Sequence, residues 1–163
     1  MALLALGLAA MALGCVVVGA LWDIARFEIP DSLSIAIIAL FVPYALLSAG
    51  PIGWLDHLGG VALIFAIGLL LFWRGWMGGG DVKLLTAIAL WTGLSGLPGL
   101  LIGTTLAGGV LAALLLALRA LPIASGSPGR RPHVLQAGAP LPYGVAIAAG
   151  TFYWLSTVPM PAL

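Results

Sequence analysis

Three observations predict an all-α integral membrane protein, a polytopic bundle of six transmembrane helices. Hydrophobic residues make up 63% of the 163 positions and charged residues only 7%, against about a quarter charged in a soluble domain. The mean hydropathy of +1.22 comes from apolar runs that recur along the whole chain, without the alternation of apolar and polar residues that marks a barrel strand. The few basic residues fall on one side when the spans are counted as six, which is the pattern of short cytoplasmic loops. A soluble globular domain is thereby excluded. A net charge of +1 and no basic stripe exclude nucleic acid as a partner, and the lipid bilayer becomes the first partner.

The elements follow in order. Met1 to Trp22 is one apolar stretch with no basic segment before it, so it reads as a retained first span rather than a cleaved signal peptide. The ten residues from Asp23 to Ser32 are the most polar of the chain, and Asp31 or Ser32 can cap the next helix. A second span runs from about Leu33 to Ser48, with a kink expected at Pro43. Ala49 to Gly53 is a turn by its Gly and Pro content, with Trp54 to His57 interfacial, and a third span extends from about Leu58 to Trp73. A single helix from Asp81 to Arg119 would be roughly twice the ~30 Å hydrocarbon thickness. The chain must therefore reverse, and Gly93 to Gly99 supplies the turn between a short fourth span and a fifth ending near Leu118. Small residues from Gly103 to Gly109 suit a close helix–helix contact. Leu121 to Pro140 has loop composition, and Leu141 to Val158 makes the sixth span. With these spans Arg26, Arg74, Lys83, Arg119, Arg130 and Arg131, all six basic residues, lie on one side. That side is cytoplasmic, both termini face outward, and residues 1–163 form one domain with a cytoplasmic loop at 119–140.

Chemistry concentrates at Gly78-Gly79-Gly80-Asp81-Val82-Lys83. An acid retained beside apolar spans marks a functional site by default, since an unpaired charge there costs several kcal/mol or more. Six spans bring Asp81, which opens the fourth, to the same boundary as Asp23, which ends the first. Two carboxyl groups close together cannot both ionise easily, so one keeps a proton while the other remains a base. Such a pair can deprotonate a water and protonate a peptide carbonyl or a leaving amine, which is aspartic-protease chemistry and needs no metal and no cofactor. Glycines beside the acid let an extended substrate approach closely.

Asp23 with Pro30-Asp31, then Gly78-Gly79-Gly80-Asp81-Val82-Lys83-Leu84-Leu85, then Pro142-Tyr143-Gly144 resemble the type IV prepilin peptidase family, whose signature is Gly-x-Gly-Asp. The resemblance spans about residues 20–150. It implies a membrane-embedded endopeptidase with Asp23 and Asp81 as the catalytic pair, cutting a basic leader from a prepilin where it meets a hydrophobic helix, in the service of pilus biogenesis or secretion. It also implies support of the site by Gly78, Gly79, Gly80, Lys83, Pro30, Pro142, Tyr143 and Gly144. Bifunctional members carry paired Cys-x-x-Cys motifs in an extra loop and methylate the new amino terminus. Here Cys15 is the sole cysteine, so the chain resembles the short, tight-adherence-pilus form and methylation is not expected. The expected location is the cytoplasmic (inner) membrane, with a preflagellin peptidase or a non-enzymatic transporter or scaffold as alternatives.

Each residue also has a plainer reading. Asp81 can be a helix cap, and Asp23 can pair with Arg26 three positions on. Lys83 can position substrate or simply reach the headgroups. Glu28 and Asp31 make the first loop acidic, and together they are candidates for binding the basic leader. Asp56 and His57 read as ordinary residues of an outer loop, Trp73 and Trp76 as interfacial anchors, and His133 lacks a second ligand at metal spacing. Pro161-Ala162-Leu163 spells the motif of presenilin-like proteases, but it stands at the outer chain end and is discounted.

Overall fold

A computed structural model of the chain describes residues 1–48, 52–120, 133–136 and 138–158. Arg130, Arg131, the Ala49–Pro51 part of the expected turn, most of the 119–140 loop and the Pro161-Ala162-Leu163 tail lie outside the described residues, as does the side chain of His133. The described residues are helical: α1 (Ala2–Arg26), α2 (Asp31–Leu47), α3 (Trp54–Trp73), α4 (Gly79–Ala120) and α5 (Tyr143–Thr157), with one short 3-10 turn at His133–Leu135. The all-α expectation holds. By length and composition Leu3–Arg26, Trp54–Trp73 and Gly79–Ala120 can cross a membrane, and α2 is a shorter apolar helix.

Apolar faces explain the packing. On α1 the buried residues Ala5, Ala12, Val16, Ala20 and Asp23 recur three, four and seven positions apart, a single stripe on a 3.6-residue helix. Asp23 therefore belongs to the inward face by the same periodicity that buries the alanines. The first span is longer than the apolar run suggests, because the helix continues through Asp23 to Arg26 before Phe27 ends it in the left-handed conformation (φ 54°, ψ 31°). Pro43 is accommodated inside α2.

The 42-residue α4 departs from helical geometry at Gly93 (φ 64°, ψ 176°), a region of backbone space open essentially to glycine alone. The expected seven-residue turn is thus one residue, with Pro98 inside the following helix. Close contacts give the directions of the two stretches. Gly60 of α3 lies against Gly93 and Gly68 against Val82, so 79–92 runs antiparallel to α3; Gly96 lies against Trp154, Gly103 against Gly150 and Gly108 against Tyr143, so 94–120 runs antiparallel to α5. These small-residue contacts let the helix backbones approach closely, as the Gly103–Gly109 spacing predicts. The chain reverses at Gly93, and successive helical stretches alternate in direction. The stretch 79–92 is central, with Val82, Leu84, Leu85 and Ala87 to Leu90 all buried.

The reversal leaves helix-end groups unpaired, and α3 supplies their partners. In an unbroken helix the Leu90 carbonyl would accept from Leu94 N–H. Instead, that carbonyl accepts from His57 Nδ1 at 2.8 Å, while Ser95 N–H and Ser95 Oγ both donate to the Asp56 carboxylate at 3.0 Å. Asp56 and His57 are therefore not ordinary loop residues: they lie in the first turn of α3 and cap both sides of the break. An aromatic cluster of Phe41, Tyr44, Trp54 and Trp91 joins them at this end.

Candidate active site

At the opposite end, three chain segments converge. The last turn of α1 carries Asp23, the link 27–30 leads into α2, and the start of α4 carries Asp81 as its third residue. Phe27 N–H donates to Asp23 O at 2.8 Å, closing α1 and turning the chain so that buried Ile29 points back into the bundle. Pro30, with its fixed φ near −61°, precedes the first helical residue of α2. Neither Asp31 nor Ser32 caps α2, for its end has no side-chain cap; the Asp31 carboxylate is taken by Lys83 instead.

Asp23, Phe27, Glu28, Ile29, Asp31, Gly78, Gly79, Gly80 and Asp81 line one hollow of about 320 Å³. The structure thus brings the two sequence-predicted acids to one place, together with the glycine run and the two acids of the first loop. Asp23 is buried and accepts from Gly144 N–H at 2.7 Å, a bond from the first residues of α5. It does not pair with Arg26, whose guanidinium lies over the Trp22 ring at 5.0 Å. The Asp81 carboxylate turns back to the Gly78 backbone amide, as a third helical residue can.

The glycines are needed for closeness. A Cβ on Gly78 would lie 2.9 Å from Asp81 Oδ2, and one on Gly80 would lie 3.1 Å from Ile29 Cβ. A Cβ on Gly144 would lie 3.0 Å from Asp23 Oδ2. The side of the hollow that carries Asp81 therefore presses directly on the link that follows Asp23, and α5 presses on Asp23 itself.

The remaining predicted residues surround the hollow without lining it. Lys83 is exposed and donates to both Asp31 oxygens, at 2.8 and 2.7 Å. Pro142 is buried at the start of α5, and Tyr143 packs its hydroxyl end over Gly108. Trp73 and Trp76 are exposed, with Arg74 over the Trp76 ring at 5.7 Å, as interfacial anchors would be. Arg119 Nη2 donates to the Val134 and Pro140 carbonyls at 2.8 and 3.3 Å. Among the described residues no three His, Cys, Asp or Glu side chains gather as a metal site would require. Sequence reasoning missed Ile29 and the Gly144 amide as parts of the site. An isoleucine amid the most polar segment was the available signal for the first; the second is a backbone group, which side-chain identity does not reveal.

A model of the type IV leader peptidase family matches residues 10–113, well over half of the chain and including both aspartates. The chain belongs to the type IV leader peptidase family. Membership makes it a protease of the aspartic type and a membrane protein, consistent with a glycine-acid motif that faces a second acid from another helix. The match ends before Pro142-Tyr143-Gly144, so the contact of Gly144 with Asp23 extends the site beyond the matched stretch. No curated protein and no solved structure matches the chain.

Proposed function

We propose that this protein removes the leader peptides of type IV-like prepilins at the cytoplasmic face of the inner membrane, with Asp23 and Asp81 as the catalytic pair. The single observation that carries the reading is their presence in one hollow within a chain of the leader peptidase family. One acid, ionised, takes a proton from a water whose oxygen bonds to the scissile carbonyl carbon, while the other, protonated, gives its proton to the carbonyl oxygen. The first acid then passes the proton from water to the leaving amine as the C–N bond breaks, and the second recovers its proton from the collapsing hydroxyl. Gly144 N–H orients Asp23, and the Gly78 amide orients Asp81. The open glycine edge admits the extended junction of the substrate.

Six crossings, with both termini outward, fit the alternating directions of the helical stretches. Arg26, Arg74, Lys83 and Arg119 all belong to the end that holds the hollow, which supports a cytoplasmic placement. Glu28 is exposed at the hollow and is the better placed of the two loop acids to meet a basic leader, since Asp31 is already paired. Gly78, Gly79 and Gly80 shape the substrate's approach, while Pro30, Pro142 and Tyr143 hold the surrounding segments.

Co-expression with a prepilin tests the proposal. Membranes containing the wild-type chain should yield pilin shortened by its leader, with the new amino terminus at the junction with the hydrophobic helix. An uncut prepilin, or a cut elsewhere, would overturn it.

A further inference from the structure

The two candidate acids sit on separate helices, and something must hold those helices in register. Asp23 is tied to α5 through Gly144, and Asp81 folds onto the backbone of its own helix start. Neither bond connects α1 to α4. Besides the packing of both helices against α5, the walls of the hollow are joined at the first link, where Ile29 touches the glycine run, and at Asp31 at the head of α2.

We infer that the ion pair between Lys83 and Asp31 is a latch that positions Asp81 relative to Asp23. Lys83 stands two residues beyond Asp81 on the same helix start. Its Nζ meets both carboxylate oxygens of Asp31, which lines the opposite wall of the hollow. The pair therefore joins the two walls across the rim, 52 positions apart in sequence, beside the close approach of Gly80 to Ile29. It is also the one ion pair between side chains among the described residues.

Its exposure argues against a mainly stabilising role. Lys83 and Asp31 are 52% and 62% exposed, and exposed pairs contribute little to global stability. Bias between two nearby arrangements of the hollow is a task of the right size, because a pair of this kind shifts such an equilibrium by up to about fivefold. Lys83 thus acts through Asp31 as a positioning residue and does not itself touch the reacting atoms.

This inference rests on the functional reading above, and a charge exchange separates the two. The full chain is reconstituted with a prepilin, and kcat and KM are measured for wild type, Lys83→Arg, Lys83→Asp, Asp31→Lys and the exchanged pair Asp31→Lys with Lys83→Asp. Thermal melting confirms comparable folding. The latch predicts that Lys83→Arg stays within about twofold of wild type, since it keeps charge and reach. Each reversal should lower kcat on the order of tenfold with little change in KM, because attraction becomes repulsion. The exchanged pair should recover at least half of the loss on a logarithmic scale. The latch is overturned if the exchanged pair is as slow as the worse single variant, if the single variants keep wild-type kcat, or if their loss lies wholly in KM, which would make these side chains substrate contacts. An inactive wild type would instead refute the functional reading beneath it.

Discussion

Substituting Gly144 by alanine tests the geometry of the site with a single methyl group. The added Cβ would stand 3.0 Å from Asp23 Oδ2, 3.1 Å from Asp23 Cβ and 3.2 Å from Ile29 Cδ1, tighter than carbon comfortably approaches any of them. The amide that donates to Asp23 remains, so the hydrogen bond is displaced rather than deleted. Relief requires the carboxyl, Ile29 or α5 to move by a few tenths of an ångström. A misplacement of 1 Å can cost about a hundredfold in rate, so roughly half that distance should cost about tenfold, with about 1–3 kcal/mol lost to overpacking. Cleavage of a reconstituted prepilin, followed by the shift of the pilin band, gives kcat and KM; thermal melting in detergent gives the stability term. Gly109→Ala is the matched control, because a Cβ there meets nothing within 4 Å and should leave cleavage unchanged. Gly144→Ala with wild-type kcat would refute the claim that this contact holds Asp23 in place.

Three further outcomes are expected. Gly93→Ala should destabilise the chain by about 1–3 kcal/mol from backbone conformation alone, with more from contact of the new methyl with the Asp56 carboxylate, read as a lowered Tm. Asp56→Ala should cost about 0.5–2 kcal/mol as a lost helix cap, yet leave kcat unchanged well below the melting temperature, because Asp56 stands at the opposite end from the hollow. Glu28→Gln should raise the KM for prepilin at low ionic strength and have less effect at high salt, where screening already weakens the attraction; an unchanged KM at low salt would remove Glu28 from leader binding.

Much of this architecture was legible from sequence because one solvent dictates it. In a bilayer, apolar length decides where helices run, and the stripe from Ala5 to Asp23 follows the helical period. The reversal inside α4 was legible from length, but its compactness was not: one glycine suffices because Asp56 and His57, from a different helix, meet the groups that the break exposes. Those two residues looked like loop residues because their partners lie 39 and 33 positions away, beyond any local pattern. Similarly, Asp31 read as a cap from its place before a helix, yet Lys83 offers its carboxylate a full charge where the helix end offers only partial ones. The acids of the site were visible as charges in an apolar chain. The Gly144 amide was not, since every residue but proline carries one, and only the fold selects which amide meets Asp23.

The central claim is that Asp23 and Asp81 act as one catalytic pair, and purified Asp23→Asn and Asp81→Asn test it most directly. Asparagine keeps the shape and an oxygen acceptor for the Gly144 amide, so the fold should persist, as melting would verify, while the acid–base function is lost. General acid–base groups contribute about 10²–10⁴ in rate. Each variant should therefore leave prepilin uncut over times in which wild type finishes, and the double variant should be no worse than the poorer single one. Normal leader removal by either folded variant would contradict the account.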